Sequence, residues 1–541
     1  MASYPREVDY LVVGAGSAGC VVAHRLSGDP NVSVALLEAG GRDWNPFIQV
    51  PVMTRTLFPM PTLNWGYQTE AEPHLEGRSL NWPRGRVLGG SSSINGMTYI
   101  RGHRRDFDIW RQLGCEGWSY EEVLPYFVRA ERNPGKDSPY HGKDGPLGVS
   151  RAPYLHPLDA AFMQACRDMG YRQTADFNGA EQEGFNLHDF TVLNGRRQST
   201  ARAYLKPIRD RANLHVVTHA QATRVTVEEG RATAVEFLQG GTPQRIRVRR
   251  EIVLSGGTIN SPQLLMLSGI GDAEALRGHG IAPLHHLPAV GQNLQDHLGF
   301  YIAQECTQPV SLRNLMRPDR AAAAVLQALF FGTGPGTAIP INACAFLRTR
   351  PELEIPDIQV TLIPGLVVNK AWRRPDKHGF LVHAYQLRPE SRGSIVLRSS
   401  DPLAKPVIRA NYLATEGDRR TLRDSMHLLR RMIAQAGFAA YRGPELSPGP
   451  AIASAAEIDR WIRQNAASAY HPVGTCRMGG DETSVVDPQL RVRGVRGLRV
   501  ADASVMPLIV GGNTNAAAIM IGEKAADLIL GRSLPRAELA A

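Results

Sequence analysis

The first chemistry legible in this chain lies in its glycine spacing near the amino end. Gly14, Gly16 and Gly19 stand in the G-x-G-x-x-G arrangement inside Leu11-Val-Val-Gly-Ala-Gly-Ser-Ala-Gly-Cys20. In that spacing the first glycine permits a tight strand-to-helix turn, the second lets the backbone approach a pyrophosphate, and the third lets the helix lie close on the strand. Ser17 and Ala18 fall at the amino end of the helix, where free N–H groups and a partial positive charge meet phosphate. Glu38, about 20 residues past the glycines and followed by Ala39, is placed to take the hydroxyls of an unphosphorylated ribose. The fingerprint alone does not separate NAD from FAD.

A second glycine-rich run, Gly85-Arg-Val-Leu-Gly-Gly-Ser-Ser-Ser-Ile-Asn-Gly-Met97, brings Arg86, Gly89, Gly90, Ser91, Asn95, Gly96 and Met97 into one loop. Adjacent glycines followed by serines can turn many backbone N–H and hydroxyl donors onto one ligand, as in an anion-binding nest. Two such loops serve one nucleotide site only if the ligand is long, as a dinucleotide is.

Elements must hold these loops in place. Residues 10–13 read as a buried parallel strand, 21–26 continue at helical period, and 32–37 form the next strand. The proline-dotted segment 41–83 lacks periodicity and is long for a loop, so it is expected to wrap over the bound nucleotide. Residues 110–132 read as helix, as do 158–169. An alternating region, 214–227, precedes a buried strand at 251–254, so the nucleotide domain is assembled from separate pieces. From about residue 299 the pattern changes: candidate strands 357–363, 379–387 and 394–398 follow one another with no intervening helix, which argues for an antiparallel sheet. Leu422, Met426, Leu429, Met432 and Ile433 lie along one face of a helix over 420–436. Residues 499–503 return as a strand and 515–530 as a helix.

Composition bounds the rest. At 541 residues, 43% hydrophobic and 21% charged, the chain has the balance of a globular protein of two or more domains. The longest apolar run, 321–331, is far short of the roughly 20 residues that span a bilayer. Residues 1–9 lack an apolar signal region, so a cytoplasmic location is expected, with peripheral attachment to the inner membrane left open. The cysteines Cys20, Cys115, Cys166, Cys306, Cys344 and Cys476 form no C-x-x-C pair, so neither a metal site nor a disulfide framework is indicated. The net charge of +10 comes from dispersed arginines; Arg245, Arg247, Arg249 and Arg250 mostly alternate with Ile246 and Val248 as the wet face of a strand does, and no nucleic-acid partner is expected.

Taken together, these stretches resemble the glucose-methanol-choline oxidoreductase family, flavoenzymes that oxidise alcohols. Residues 85–95 (GRVLGGSSSIN) match one family signature, and 257–271 (GTINSPQLLMLSGIG) match the second at its Ser-Pro and Ser-Gly-Ile-Gly positions. Tyr470-His-Pro-Val-Gly-Thr475, Asp502-Ala-Ser-Val-Met-Pro507 and Asn513-Thr-Asn-Ala516 also fit. The resemblance implies an α/β FAD-binding Rossmann-like domain (1–155, 215–298 and 465–541) with an α+β substrate domain built on an antiparallel sheet (156–214 and 299–464). It adds Asp502, Ala503, Thr514, Asn515 and Ala516 to the FAD contacts, and places at Val225 a backbone contact to the adenine.

Moving a hydride from an alcohol carbon to flavin requires the hydroxyl proton to leave, so a general base is needed; histidine titrates close to working pH. The resemblance assigns that role to His471, with Asn515 stabilising the alkoxide and also capping the following helix, whose positive end is aimed at the flavin. Asparagine there is similar to the choline-dehydrogenase-like branch. Relatives that attach FAD covalently carry a histidine where this chain has Ile94, so non-covalent FAD is expected. Where choline dehydrogenases carry a glutamate, Asn342 stands here, which favours a neutral primary alcohol over choline. Trp65 and Tyr470 are candidate pocket aromatics. The electron acceptor is a quinone-type carrier by preference, with oxygen open. Choline dehydrogenation, an oxygen-using oxidase and, remotely, a flavin-containing lyase remain as alternatives; a non-catalytic flavin protein is expected to lack the His471 and Asn515 pair.

Overall fold

The computed structural model describes residues 4–152, 154–366 and 375–538, so the outermost ends of the expected nucleotide domain lie outside the described residues. The first sheet is built from β1 (Glu7–Val13), β2 (Val34–Glu38), β3 (Leu214–Thr218), β4 (Ala220–Glu228), β5 (Arg231–Gln239) and β6 (Thr242–Leu254), in the order β3-β2-β1-β6-β5-β4. From β3 to β6 the pairing is parallel, and β6 also pairs in parallel with Leu498–Val500. The β6-β5-β4 half is antiparallel.

The composition of β6 follows this division. Its first half pairs with β5 and alternates exposed Arg245 and Arg247 with buried Ile246 and Val248; its end, Ile252 to Leu254, is fully buried between β1 and Leu498–Val500. One wet face suits an antiparallel strand, and continuous apolar sequence suits a parallel strand covered on both faces. Helix α1 (Gly19–Leu26) lies on β1 so closely that a Cβ on Gly19 would sit 1.9 Å from the Gly14 carbonyl oxygen. Helix α2 (Gly257–Leu267) follows β6 through a second glycine turn.

The second sheet contains β7 (Leu298–Cys306), β8 (Ala343–Leu347), β9 (Ile358–Ile363), β10 (Gly379–Gln386) and β11 (Arg442–Ser447) in the order β11-β7-β10-β9-β8, with Gly184–Leu187 beyond β8. Every pair in it is antiparallel. Helix α3 (Pro318–Phe331) buries Ala324 and Ala328 among the described residues, whereas α4 (Glu416–Ala434) buries Leu422, Met426, Leu429, Met432 and Ile433. Helix α5 (Asn515–Leu530) returns to the first core and packs on α1. There the buried Glu523 accepts from Arg25, Arg129 and Tyr204.

Four expectations change. Residues 110–132 are not one helix: Arg104–Gln112 and Tyr120–Ala130 are separated by a turn with Gly114 and Gly117 at φ of 87° and 85°. The segment 156–214 is shared, since Pro157–Asp168 and Gly184–Leu187 serve the second core while Ala201–Leu205 packs in the first. Ser394–Val396 pairs with Val407–Arg409 as a separate ribbon outside the large sheet. The 41–83 segment is also divided, because Tyr67, Leu75, Leu80 and Trp82 pack into the second core.

Candidate active site

A cavity of about 1810 Å³ runs from the first glycine loop to the face of the second sheet. Drug-sized sites occupy roughly 300–1,000 Å³, so this volume suits a long cofactor together with a substrate. The two glycine-rich loops meet at its wall. The Gly89 N–H donates to the Ala15 carbonyl at 2.8 Å, and a Cβ on Gly90, whose φ is 53°, would lie 2.7 Å from Gly16 Cα. Gly14, Gly16, Ser17, Ala18, Glu38, Ala39, Arg86, Gly90, Ser91, Asn95, Gly96, Met97, Asp502, Ala503, Thr514 and Asn515 line the cavity. Glu38 accepts from the N–H groups of Ala15 and Gly40 at 3.0 and 2.8 Å, and burial pushes its carboxyl up to about 7. These donors, glycines and acid fit a dinucleotide such as FAD.

Other expected contacts stand behind that wall. Gly19 and Gly89 serve the loop packing just described, and Ala516 is buried in the first core. The Val225 N–H donates to Ser268 Oγ at 2.8 Å, while Ala220, Gln221 and Ala222 of the same strand face the cavity. Ile94 does line the cavity, and packs in an apolar cluster with Ile48, Leu57, Leu63 and Val87. Trp65 and Tyr470 line the cavity. Asn342 does not: it is buried, with Nδ2 donating to Asp159 Oδ2 at 3.0 Å.

At the far end His471 is held on both ring nitrogens. Its Nδ1 lies 3.0 Å from His297 Nδ1, and its Nε2 lies 3.1 Å from Asn513 Nδ2. His297 Nε2 is 3.2 Å from the Leu387 carbonyl oxygen. A carbonyl only accepts, which assigns every proton in turn. His297 carries its hydrogen on Nε2; its bare Nδ1 accepts from His471 Nδ1–H; the bare His471 Nε2 accepts from Asn513. From the other side, His188 Nδ1 donates to the Ile341 carbonyl at 2.9 Å, so its bare Nε2 accepts from Gln359 Nε2 at 3.3 Å. Gln359 Nε2 also donates to Asn513 Oδ1 at 3.4 Å. The relay is electrically neutral: burial pulls His297 down to about 3 and His188 to about 4. His471 is held well below the usual histidine range by burial, then by its neighbours His297, Arg84 and His383.

The backbone carrying His471 is clamped from below. Asp296 Oδ1 accepts the His471 N–H at 2.7 Å, and Asp296 Oδ2 accepts from Ser468 Oγ at 2.5 Å and from the Tyr412 hydroxyl. The clamp holds Tyr470 at φ 66°, a left-handed conformation uncommon for an aromatic residue and typical of strain kept at functional sites. Gln295, next in line, accepts from the Ile509 N–H and donates to the Pro507 carbonyl, fixing the loop that leads to Asn513.

Asn513, not Asn515, therefore meets the histidine. Asn515 is the first residue of α5, its Oδ1 accepts from Ser17 Oγ at 2.7 Å, and no side chain caps the helix. A residue in the first turn is turned back toward the glycine loop, whereas Asn513 precedes the helix and is free to face the ring. The consecutive Gln295, Asp296 and His297 were missed from sequence; three polar residues directly ahead of an alternating strand were the available signal. His188 and Gln359 gave no such signal.

The sequence pattern of the GMC oxidoreductase family matches residues 8–299 with its N-terminal part and 389–522 with its C-terminal part. The oxygen-dependent choline dehydrogenase of Sinorhizobium fredii (strain NBRC 101917 / NGR234) is 48% identical over 528 residues, covering 97% of this chain and 96% of that protein. Among solved structures, pyridoxine 4-oxidase from Mesorbium loti superposes with a TM-score of 0.88 at 32% identity, covering 96% of this chain and 98% of the other. Formate oxidase of Aspergillus oryzae RIB40 gives 0.92 at 27% identity, with 98% and 99% covered.

Proposed function

Because this chain belongs to the GMC oxidoreductase family, FAD-dependent enzymes acting on CH–OH donors, we propose that it oxidises an uncharged primary alcohol to the aldehyde, with FAD bound non-covalently and His471 as general base. The observation that carries this reading is the His471–Asn513 pair at the cavity wall, with its protons assigned by two backbone carbonyls. When bound along the glycine loops, FAD supplies the hydride acceptor. An alcohol oxygen entering between the pair donates to His471 Nε2 and accepts from Asn513 Nδ2, which then holds the developing alkoxide. The low proton affinity of His471 keeps it in the base form before substrate arrives. The amino end of α5, at Thr514 and Asn515, lines the cavity and would offer partial positive charge to a flavin held there.

Two features favour an uncharged alcohol over choline. Among the described lining residues the acidic ones are Glu38 and Asp502, and both are engaged at the nucleotide end, Asp502 by Gly257, Ser261 and Ser504. Arg55, within electrostatic reach of Tyr301, His383 and Tyr470, brings positive charge to the substrate end instead. The name of the S. fredii relative supports choline as a second reading, and oxygen rather than a quinone as electron acceptor. The cytoplasmic setting expected from the sequence goes with this proposal.

Anaerobic flavin reduction across neutral alcohols and choline tests the substrate, and reoxidation with oxygen or a quinone tests the acceptor. His471→Ala should slow reduction by about 10²–10⁴-fold, the usual contribution of a general base; full-speed bleaching in that variant would remove the base from the proposal. Acid precipitation should release the flavin into the supernatant. A lyase would leave the flavin oxidised.

A further inference from the structure

The substrate end of the cavity is walled by aromatic rings that are open to it. Tyr301 and His383 are cross-strand partners on β7 and β10, so their side chains leave the sheet on one face and stack at 4.1 Å with an interplanar angle of 12°. Tyr385, two residues along β10, carries the row to the base: its ring lies 5.2 Å from His383 and 5.7 Å from His471, centroid to centroid. On the other wall Tyr470, next to His471 in sequence, meets Phe58 edge to face at 5.7 Å. Tyr385 is sealed within the sheet, but Phe58, Tyr301, His383 and Tyr470 are each partly exposed and line the cavity. Tyr470 and Tyr301 lie within electrostatic reach of one another, so the two walls border one slot.

A slot of aromatic rings suits two kinds of guest: a cation over the ring faces, or another aromatic ring against their edges and faces. Charge decides between them. Arg55 lines the same space, within electrostatic reach of Tyr301, His383 and Tyr470. Among the described residues no hydrogen bond or ion pair engages its guanidinium. The acids that line the cavity, Glu38 and Asp502, are engaged at the nucleotide end. A quaternary ammonium in the slot meets a like charge with no carboxylate to offset it. A neutral aromatic ring offers the guanidinium a π face and the four open rings an aromatic partner. A saturated chain gains only the area it buries.

Resting on the proposed alcohol oxidation, we infer that this slot selects an aromatic primary alcohol, its ring packed on Tyr301, His383, Tyr470 and Phe58 beneath Arg55 and its CH2OH group directed at His471 and Asn513. The product is then the aromatic aldehyde. Arg55 both attracts the ring and rejects a cationic tail, so one side chain sets the choice between the two guests.

The test is anaerobic stopped-flow reduction of the purified holoenzyme, which separates the dissociation constant from the limiting rate. Benzyl alcohol is compared with cyclohexylmethanol, the same skeleton with a saturated ring, and choline with 3,3-dimethylbutan-1-ol, its uncharged isostere. In the wild type benzyl alcohol should bind about 5- to 70-fold tighter than cyclohexylmethanol, the range of one aromatic pair together with one cation–π contact. Arg55→Met or Tyr301→Leu should lower that ratio; because it is taken within one protein, differences in flavin content cancel. Arg55→Met should also narrow the gap between choline and its isostere. A saturated ring bound as tightly as the aromatic one in the wild type, or a ratio unmoved in both variants, would overturn the slot while leaving alcohol oxidation intact. Choline binding tighter than 3,3-dimethylbutan-1-ol would make the rings an ammonium cage and overturn it as well. Flavin that no alcohol reduces would instead remove the reading beneath it.

Discussion

Replacing His297 by phenylalanine separates positioning of the proposed base, His471, from the base itself. His297 is fully buried, accepts the His471 Nδ1–H at 3.0 Å and donates to the Leu387 carbonyl at 3.2 Å. Phenylalanine keeps the ring but removes both functions. When His471 takes a proton it becomes an imidazolium whose Nδ1–H has lost its acceptor. A hydrogen bond to a charged group contributes about 1.5–3 kcal/mol, which at 1.36 kcal/mol per decade is a loss of about 10- to 150-fold in the rate of flavin reduction. The tautomer is also released, because an unheld imidazole can place its hydrogen on Nε2 and present no lone pair to the substrate. His297→Gln restores an acceptor and should recover part of the loss. Stopped-flow reduction at saturating alcohol reads the rate, and flavin content per protein shows whether the cavity still assembles. Wild-type reduction by a flavin-replete His297→Phe protein would refute the proton assignment from the Leu387 carbonyl onward.

The remaining predictions concern charge, packing and a buried ion cluster. Arg84 is one of the neighbours that lower the proton affinity of His471, so Arg84→Met should move the acid limb of the reduction rate to higher pH; a limb that stays or moves down contradicts that contribution. In the wild type the limb lies well below pH 6.5, since a base held neutral by burial has nothing left to lose above that value. Gly19→Ala should abolish flavin binding, measured as flavin absorbance per protein, because its Cβ would sit 1.9 Å from the Gly14 carbonyl oxygen and must push α1 off the loop. Glu523→Leu leaves Arg25 and Arg129 without their shared carboxylate; removing one partner of a buried cluster costs about 3–5 kcal/mol. The apparent Tm at fixed scan rate should fall by a few degrees, and an unchanged Tm would mean that water already carries those charges.

The first half of the fold was legible because its signals are local. Glycine spacing, an apolar run and an acid at the right distance specify β1, α1 and Glu38 with no distant information. The apolar stripe of α4 and the run of strands without helices likewise indicated an antiparallel second domain. What stayed hidden depends on contacts across the chain. A helix over 110–132 fits the apolar period, yet Gly114 and Gly117 take left-handed turns that periodicity does not weigh. The partner of His471 was placed two residues too late, because spacing cannot say which asparagine precedes the helix axis and which joins its first turn. Asn342 looked like a pocket residue in sequence order but is consumed by Asp159 from Pro157–Asp168. His188 and Gln359 lie more than a hundred residues from the base they help to orient, and only the second sheet brings them to it.

That last arrangement bears on how the molecule matures. The chain of bonds begins at Ile341, just before β8, crosses to Asn513 and His471 near the carboxyl end, and finishes at Leu387, just after β10. Without the second half in place, the imidazole would have neither a set tautomer nor its outer hydrogen-bonding companions. The proposed base is thus tuned only where the two halves dock, so its competence reports on the assembly of the whole molecule rather than of the nucleotide half alone.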